Sequence, residues 1–197
     1  ATMGWHIIHL TDVAVTPWRN GGGVTRELAV WPTQGDWTWR MSVAEVDRSG
    51  PFSRFEGVER WLAVLQGNGV QLDVGVGPRA LAAPPTARTV TVADAPIYFD
   101  GEASTYCHLR DGPSQDFNLM VRKSAQPSRM VRVHAHYSTT LDAPKTVAAY
   151  AMNTGVTVEF NQEKVYVPPA TLLWRSVGKK AVVRISGAQA LWMEIPG

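Results

Sequence analysis

Cysteine is nearly absent from this chain of 197 residues, which has a single copy at Cys107. One cysteine can form neither an internal disulfide nor a cysteine-based zinc site. Cys107 lies in the strand-like stretch STYCHL, so we expect a buried small side chain rather than a nucleophile. A chain with so little cysteine fits a reducing compartment, and the predicted location is the cytoplasm.

Charge and long apolar runs are also scarce. Charged residues make up 18% of the chain, and the formal net charge is +2. The adjacent lysines Lys179 and Lys180 follow a glycine, which is typical of a turn, and no basic stripe suited to nucleic acid is present. No apolar run approaches the length of a membrane span, and the first residues lack the basic start and apolar core of a signal peptide. We therefore expect neither a nucleic-acid nor a membrane partner.

Helical periodicity is missing from every long stretch, and only residues 52–59 are compatible with a helical turn. Alternation with a period of two is abundant instead. In residues 37–46, one face would hold Trp37, Trp39, Met41 and Val43, and the other Thr38, Arg40, Ser42 and Ala44. Similar short runs recur between Gly, Pro, Asn and Asp residues. Many short strands with regular punctuation predict an all-β sandwich or barrel.

An internal repeat refines this prediction. Residues 60–74, RWLAVLQGNGVQLDV, resemble residues 146–160, TVAAYAMNTGVTVEF. At a similar offset of about 85 residues, 83–90 resemble 167–174, 98–102 resemble 184–188, and the strand ending at Gly112 resembles the one ending at Gly197. This pattern predicts a bicupin, in which two RmlC-like double-stranded β-helix (jelly-roll) barrels form one unit over residues 1–197. The predicted halves are residues 1–125 and 126–197.

Three consecutive glycines, Gly21, Gly22 and Gly23, stand in the segment PWRNGGGVTREL. A phosphate-binding P-loop would need Lys-Ser/Thr and a helix after the glycines, and a dinucleotide fingerprint would also need the helix. Here an alternating, strand-like run follows, so both motifs are excluded. Two interpretations remain: a turn that uses positive φ angles, or a nest of N–H groups that binds an anion.

The segment after the glycines, residues 25–31, is predicted to pair with residues 37–44 as a hairpin. If Glu27 lies opposite Arg40, Thr25 lies opposite Ser42, and all four side chains share one face. That face would be either an ordinary solvated surface or the wall of a ligand pocket inside a barrel. The sequence does not choose between the two.

Further polar candidates follow along the chain. Ser53 lacks the surroundings of a nucleophile elbow, so a turn or cap is the simpler interpretation. Arg60 begins a strand and would pair with a carboxylate of the protein or of a ligand. Asp116 and Asn118 stand two residues apart, which suits either an Asx-type turn or hydrogen bonding to a ligand.

His134 and His136 also stand two residues apart, as at the start of a metal-binding cupin signature. The remaining signature residues are missing, and the nearest downstream carboxylate is Asp142. A two-histidine, one-carboxylate metal site is therefore the weaker alternative to a surface pair. No cofactor or metal is expected.

Three stretches together resemble the signature blocks of the HutD/Ves family: residues 17–28, 37–72 and 99–123, with NGGG-x-T, WR-x-S, GPFS and DFNLM as their most specific parts. The resemblance implies a bicupin with a small-molecule pocket in its first barrel. It also implies, for the HutD branch, a role in tuning histidine utilisation by binding N-formylglutamate or urocanate. The Ves branch is described as stress-induced. One departure is Glu56, where the family is expected to have proline.

The resemblance implies ligand-binding roles for a set of polar positions: Asn20, Thr25, Glu27, Arg40, Ser42, Ser53, Arg60, Asp116 and Asn118. Guanidinium groups of Arg40 and Arg60 would bind the carboxylates of such a ligand. Amide and hydroxyl groups, together with the N–H groups of Gly21, Gly22 and Gly23, would bind a formyl group. Tryptophans would wall the pocket.

Three functions are compatible with these residues. The favoured hypothesis is a non-catalytic regulator that binds a small carboxylate. The second is an isomerase or hydrolase with Glu27 as general base, a role that an ion pair with Arg40 would weaken. The third is a metal-dependent oxygenase that uses the histidine pair. Exposed strand edges would also allow a homodimer.

Overall fold

The computed structural model describes residues 4–75, 86–124 and 126–197. Apart from a single 3-10 turn at Leu10–Asp12, the regular structure of these residues consists of β-strands. The region 52–59 is not helical. No helix among the described residues has the length and apolar character that crossing a membrane requires.

Seventeen strands follow one another along the chain. They are β1 His6–His9, β2 Thr16–Pro17, β3 Gly23–Trp31, β4 Trp39–Val46, β5 Gly50–Pro51, β6 Val58–Gln66, β7 Val70–Val74, β8 Thr86–Val90, β9 Ile97–Asp100, β10 Thr105–Leu109, β11 Ser114–Arg122, β12 Arg129–Leu141, β13 Lys145–Ala151, β14 Val156–Phe160, β15 Glu163–Val167, β16 Thr171–Val177 and β17 Ala181–Pro196. All of the strand pairs are antiparallel, as short hairpin connections require.

The chain divides into two compact units. The first unit comprises residues 14–123, and the second comprises residues 124–197 together with the segment before residue 14. The halves predicted from the sequence, 1–125 and 126–197, place that first segment differently. It belongs with the second unit because β1 pairs with β16, with His6 opposite Trp174.

The first unit consists of a six-stranded sheet, in the order β2-β3-β4-β11-β6-β9, and a four-stranded sheet, in the order β5-β10-β7-β8. A hydrophobic core joins Val46 and Leu62 of the larger sheet to Leu72 and Cys107 of the smaller one. Alternation places these side chains on the facing surfaces of the two sheets. Cys107 is fully buried in this core, as predicted, and burial raises the pKa of its thiol to about 12.

The second unit forms one curled seven-stranded sheet with the path β1-β16-β13-β17-β14-β15, while β12 pairs with β17. The long strand β17 pairs with β14 through its first part and with β13 through its last part. It therefore corresponds to both β10 and β11 of the first unit, where β10 pairs with β7 and β11 pairs with β6.

Strand pairing tests the predicted repeat. The hairpin β6–β7 is equivalent to β13–β14, as the match of 60–74 with 146–160 predicted. The later matches are wrong, because they equate β8 with β16 and β9 with β17. By strand pairing β8 corresponds to β15, since β8 pairs with β7 as β15 pairs with β14. Likewise β9 corresponds to β16, since β9 pairs with β6 as β16 pairs with β13. The constant offset ends where the connections differ in length. Residues 83–85 of the predicted Pro-Pro step lie outside the described residues.

Candidate ligand-binding site

A cavity of about 1020 Å³ opens in the first unit on the face shared by β3, β4, β6 and β11. Its lining combines buried polar side chains with aromatic rings and a more exposed rim. The lining residues are Thr16, Pro17, Trp18, Arg19, Asn20, Thr25, Glu27, Arg40, Ser42, Ala44, Pro51, Phe52, Ser53, Phe55, Arg60, Asp116, Asn118 and Met120. The polar face of the β3–β4 hairpin therefore faces the inside of the barrel and is not an ordinary solvated surface. The sequence had left both arrangements open.

The hairpin register differs from the predicted one. Thr25 lies opposite Ala44, and Glu27 lies opposite Ser42, so both partners are two residues along β4 from the predicted ones. Next to the hairpin turn Ala29 lies opposite Met41, and the register then shifts between Glu27 and Ala29. A β-bulge of this kind adds one residue to one strand and re-aims the side chains beside it. The predicted face was correct, but the predicted partners were displaced by one pair.

Glu27 nevertheless contacts Arg40. The Glu27 Oε1 and Arg40 Nε atoms are 2.9 Å apart, although the contact lacks hydrogen-bond geometry. The Glu27 side chain is 46% exposed, whereas that of Arg40 is 25% exposed. This half-exposed ion pair orients Arg40 at the rim of the cavity and leaves Glu27 too solvated for the desolvated base that the enzyme hypothesis requires.

Arg60 is the buried cation of the cavity. It is only 5% exposed, and its Nη2 donates a hydrogen bond to Asn118 Oδ1 over 3.1 Å. Three aromatic rings surround the guanidinium, with their centroids 5.0–5.7 Å from Cζ: Phe52, Phe55 and Phe99. Among the described residues no carboxylate forms an ion pair with it, and its Nε has no hydrogen-bond partner. Burial, with a smaller contribution from Arg40, lowers the Arg60 pKa to about 10, so the side chain is charged at neutral pH.

Asp116 lies deeper on β11 and is fully buried. Its Oδ1 accepts a hydrogen bond from Ser114 Oγ, whereas its Oδ2 has no hydrogen-bond partner among the described residues. Burial raises the pKa of Asp116 to about 7; the Ser114 hydroxyl opposes this shift, and the Glu45 charge adds to it. Near neutral pH the group can therefore exist with or without its proton.

The triple glycine forms a turn rather than a nest for a ligand. The Gly21 N–H donates to Trp18 O, and the Gly22 N–H donates to Asn20 Oδ1. Gly21 has a φ of +71°, and a Cβ on Gly23 would collide with Glu45 O. None of the three glycines lines the cavity. The predicted role of their N–H groups in ligand binding is corrected to a role within the turn, because the N–H groups of Gly21 and Gly22 already donate there.

Aromatic side chains wall the cavity near its mouth. The Trp18 Nε1–H donates to Thr25 Oγ1 over 2.8 Å, and the Trp18 ring packs edge-on against Phe52. Asn20 and Ser53 are exposed at the rim. Trp18 is thus the tryptophan that walls the site, whereas Trp37 and Trp39 lie elsewhere.

All of the predicted side chains other than the glycines line the cavity. The residues that the sequence analysis missed are Thr16, Pro17, Trp18, Arg19, Ala44, Pro51, Phe52, Phe55 and Met120. Alternation could have identified Ala44 and Met120, because they lie two positions from Ser42 and Asn118 on the same faces. The remaining residues carry no periodic signal, since they come from connecting segments and from the two-residue strands β2 and β5.

The histidine pair does not form a metal site. His134 and His136 are exposed on β12, and a register shift between His134 and Ala135, where φ is +67°, interrupts the alternation that the prediction assumed. Among the described residues, no group of three or more His, Cys, Asp and Glu side chains could hold a metal ion.

Comparison with known proteins agrees with this architecture. A family described as HutD matches residues 10–193. An uncharacterised 21.2 kDa protein in the hutC 3' region of Pseudomonas putida is 34% identical over 126 residues, which are 63% of this chain and 62% of that protein. Protein Ves of Escherichia fergusonii is 34% identical over 115 residues, which are 57% and 56% of the two chains. The matched segments thus span about three-fifths of these relatives.

Solved structures extend the likeness over nearly the whole chain. HutD from Pseudomonas fluorescens SBW25, in a formate condition, superposes with a TM-score of 0.78 at 25% identity, covering 97% of this chain and 98% of that one. The oxalate decarboxylase of Lactobacillus farciminis superposes with a TM-score of 0.67 at 7% identity, covering 96% and 86%. The second likeness concerns the fold alone. The predicted all-β bicupin is confirmed.

Proposed function

The chain belongs to the HutD/Ves family, and we propose that it is a regulatory protein that binds a small carboxylate in the cavity of its first unit. The proposed ligand is an intermediate of histidine degradation, such as N-formylglutamate or urocanate, and its binding modulates histidine utilisation. The P. putida relative, whose name places it beside hutC, supports this pathway.

Arg60 is the observation that carries the proposal. A buried cation without an anionic partner is costly, because burial removes its hydration. Its aromatic neighbours, the Asn118 side chain and the Ser53 carbonyl oxygen, which accepts a long hydrogen bond of 3.5 Å from Nη1, compensate only partly because none of them carries a negative charge. A ligand carboxylate would supply the missing charge, and the planar guanidinium binds such a group with two parallel hydrogen bonds.

N-formylglutamate suits the remaining groups. Arg40, which contacts Glu27 at the rim, would bind a second carboxylate. Buried Ser42 and Asn118 offer hydroxyl and amide groups for the formyl oxygen and N–H. The rings of Trp18 and Phe52 would exclude water from the bound acid. Urocanate would use one guanidinium and place its imidazole among the polar groups.

An enzyme that transfers a proton to or from such an acid is the second candidate. The observation that favours it is Asp116, whose pKa of about 7 suits a general acid or base. Asp116 replaces Glu27 in this hypothesis, since Glu27 is half exposed and paired with Arg40. Incubating the protein with each acid and following the acid by NMR tests this candidate, because conversion of the acid would establish it.

The central experiment is titration calorimetry with N-formylglutamate, urocanate, glutamate and formate. We expect at least one acid to bind, and Arg60→Met to weaken that binding by about 100-fold or more, because a desolvated charge contact is lost. Arg40→Ala should have a smaller effect at the rim. Arg122→Met is the matched control, because Arg122 also stacks on a ring, that of Trp37, but does not line the cavity.

Two results would contradict the proposal. One is the absence of binding of all four acids to the unmodified protein. The other is equal weakening by Arg60→Met and Arg122→Met, which would place the ligand outside this cavity.

A further inference from the structure

Asp116 is a buried carboxyl group in which only one of the two oxygens is hydrogen-bonded within the described residues. Ser114 fixes Oδ1, and the Ser114 hydroxyl is itself only 1% exposed. The Oδ2 atom has no hydrogen-bond partner among the described residues, although the side chain lines the cavity. An unpaired buried oxygen costs free energy until something bonds to it, which makes Oδ2 a candidate contact for a ligand.

Among the described residues, no cation forms an ion pair with Asp116. Ala44 on β4 and Val64 on β6 lie directly opposite it. The charged or titratable groups of the surrounding strands that line the cavity or interact electrostatically with Asp116 are Glu27 on β3, Arg40 and Glu45 on β4, Arg60 on β6 and Cys107 on β10. Of these, Glu45 opposes ionisation of Asp116, and Asp116 in turn opposes that of Cys107. Both arginines are instead engaged with Glu27 and Asn118.

An anion bound at Arg60 would bring a further negative charge into this space. Arg60 bonds to Asn118, which lies two positions along β11 from Asp116 and on the same face. A carboxylate beside an ionised Asp116 would be repelled, as two carboxylates in one site are. A protonated Asp116 would instead donate a hydrogen bond to it.

We propose that binding of a small carboxylate in this cavity is coupled to the uptake of one proton by Asp116, whose Oδ2–H then donates to a ligand oxygen. The proton comes from solvent, and no other bond changes. This inference rests on the proposed function and adds to it a specificity-determining residue: the site accepts an anion whose oxygen faces Asp116, and it discriminates against that anion as pH rises.

The direction of the pH dependence follows from linkage. Free Asp116 has a pKa of about 7, and a bound anion would raise it further. Below about pH 6 the group is already protonated, so affinity is highest and does not vary with pH. Above about pH 7 each pH unit should weaken binding by up to about tenfold, until the pKa of the bound state is reached.

Calorimetry in two cationic buffers of different ionisation enthalpy, each chosen to buffer at the pH of the measurement, counts the protons. With N-formylglutamate and formate as probes, we expect the unmodified protein to take up roughly a half to three-quarters of a proton per ligand at pH 7.5 and almost none at pH 5.5. Asp116→Asn should bind without proton uptake and with an affinity that is constant between these pH values. Asp100→Asn is the control, because Asp100 does not line the cavity and pairs with Lys123.

The outcomes separate the two proposals. Binding without proton uptake, or with proton release, in the unmodified protein overturns the role of Asp116 while leaving the binding function intact. Proton uptake that persists in Asp116→Asn also overturns it. If neither probe binds at either pH, the role of Asp116 fails, and the binding function fails with it when urocanate and glutamate do not bind either. Because the first result depends on the unmodified protein alone, poor folding of the variant would not affect it.

Discussion

The two units place different side chains at equivalent points of the same strand framework. In the first unit Asn118 lies opposite Leu62, and Asp116 lies opposite Val64. On the core-facing side of the corresponding strands in the second unit, Trp192 lies opposite Ala149 and Ala190 lies opposite Ala151. The neighbouring strand repeats the contrast, with Ser42 and Ala44 of β4 corresponding to Val131 and Val133 of β12.

The difference shows how one scaffold can hold either a cavity or a closed core. Trp192 is 1% exposed, and it packs in a cluster of aliphatic side chains that includes Val133 and Ile185. Its Nε1–H is satisfied by Glu194. Large apolar side chains fill the core of the second unit. The first unit instead has buried polar groups around a cavity, and it therefore loses the packing contacts that a filled core would make.

Removing the residue that fills the second unit should have the largest effect. Trp192→Ala is expected to lower the free energy of unfolding by about 3–5 kcal/mol, because it leaves a cavity in a packed core. Urea denaturation at pH 7 measures the change. Tyr166→Ala in the same unit is the control, since Tyr166 is 62% exposed, and it should cost less than about 1 kcal/mol. Equal losses in both variants would show that Trp192 does not hold the core together.

Neutralising the buried carboxyl group of the first unit should have the next largest effect, and in the opposite direction. Because the pKa of Asp116 is about 7 when folded and 3.8 in its reference state, stability is lost as pH rises from about 4 through 7. The Asp116→Asn side chain carries no charge, so the variant should not lose stability over this pH range. Its free energy of unfolding should exceed that of the unmodified protein by about 2–4 kcal/mol at pH 8 and differ little at pH 4. Thermal unfolding at both pH values checks it. A pH-independent change would contradict the assignment.

Changing the rim ion pair should have the smallest effect. The strand β3 that carries Glu27 has no counterpart beside β12 among the described strands. Glu27→Gln should change stability by less than about 1 kcal/mol, because the pair is partly exposed. It should weaken carboxylate binding only a few-fold, by loosening Arg40. Calorimetry beside Arg40→Ala measures this, and a loss as large as that of Arg60→Met would instead assign Glu27 a central role.

Alternation in the sequence was sufficient to predict strand faces, but not strand partners. The face shared by Arg40, Ser42 and Ala44 was correct because side chains in a strand alternate strictly. The predicted partner of Glu27 was wrong by two residues, Arg40 instead of Ser42. The register depends on the turn and on the bulge between Glu27 and Ala29, and no residue pattern marked either. The repeat was correct for β6–β7 and β13–β14 and failed where connections of unequal length follow.

By itself, the sequence determined that this protein is a duplicated β structure and which polar side chains share the face of β3, β4 and β11. Local periodicity and the signature segments contain that information. Only the tertiary structure decided that this face lines a cavity, that the N–H groups of Gly21 and Gly22 bond within their own turn, and that no carboxylate of the described residues pairs with Arg60. These facts depend on which groups approach one another across strands distant in sequence, and such distances are set by packing rather than by local pattern.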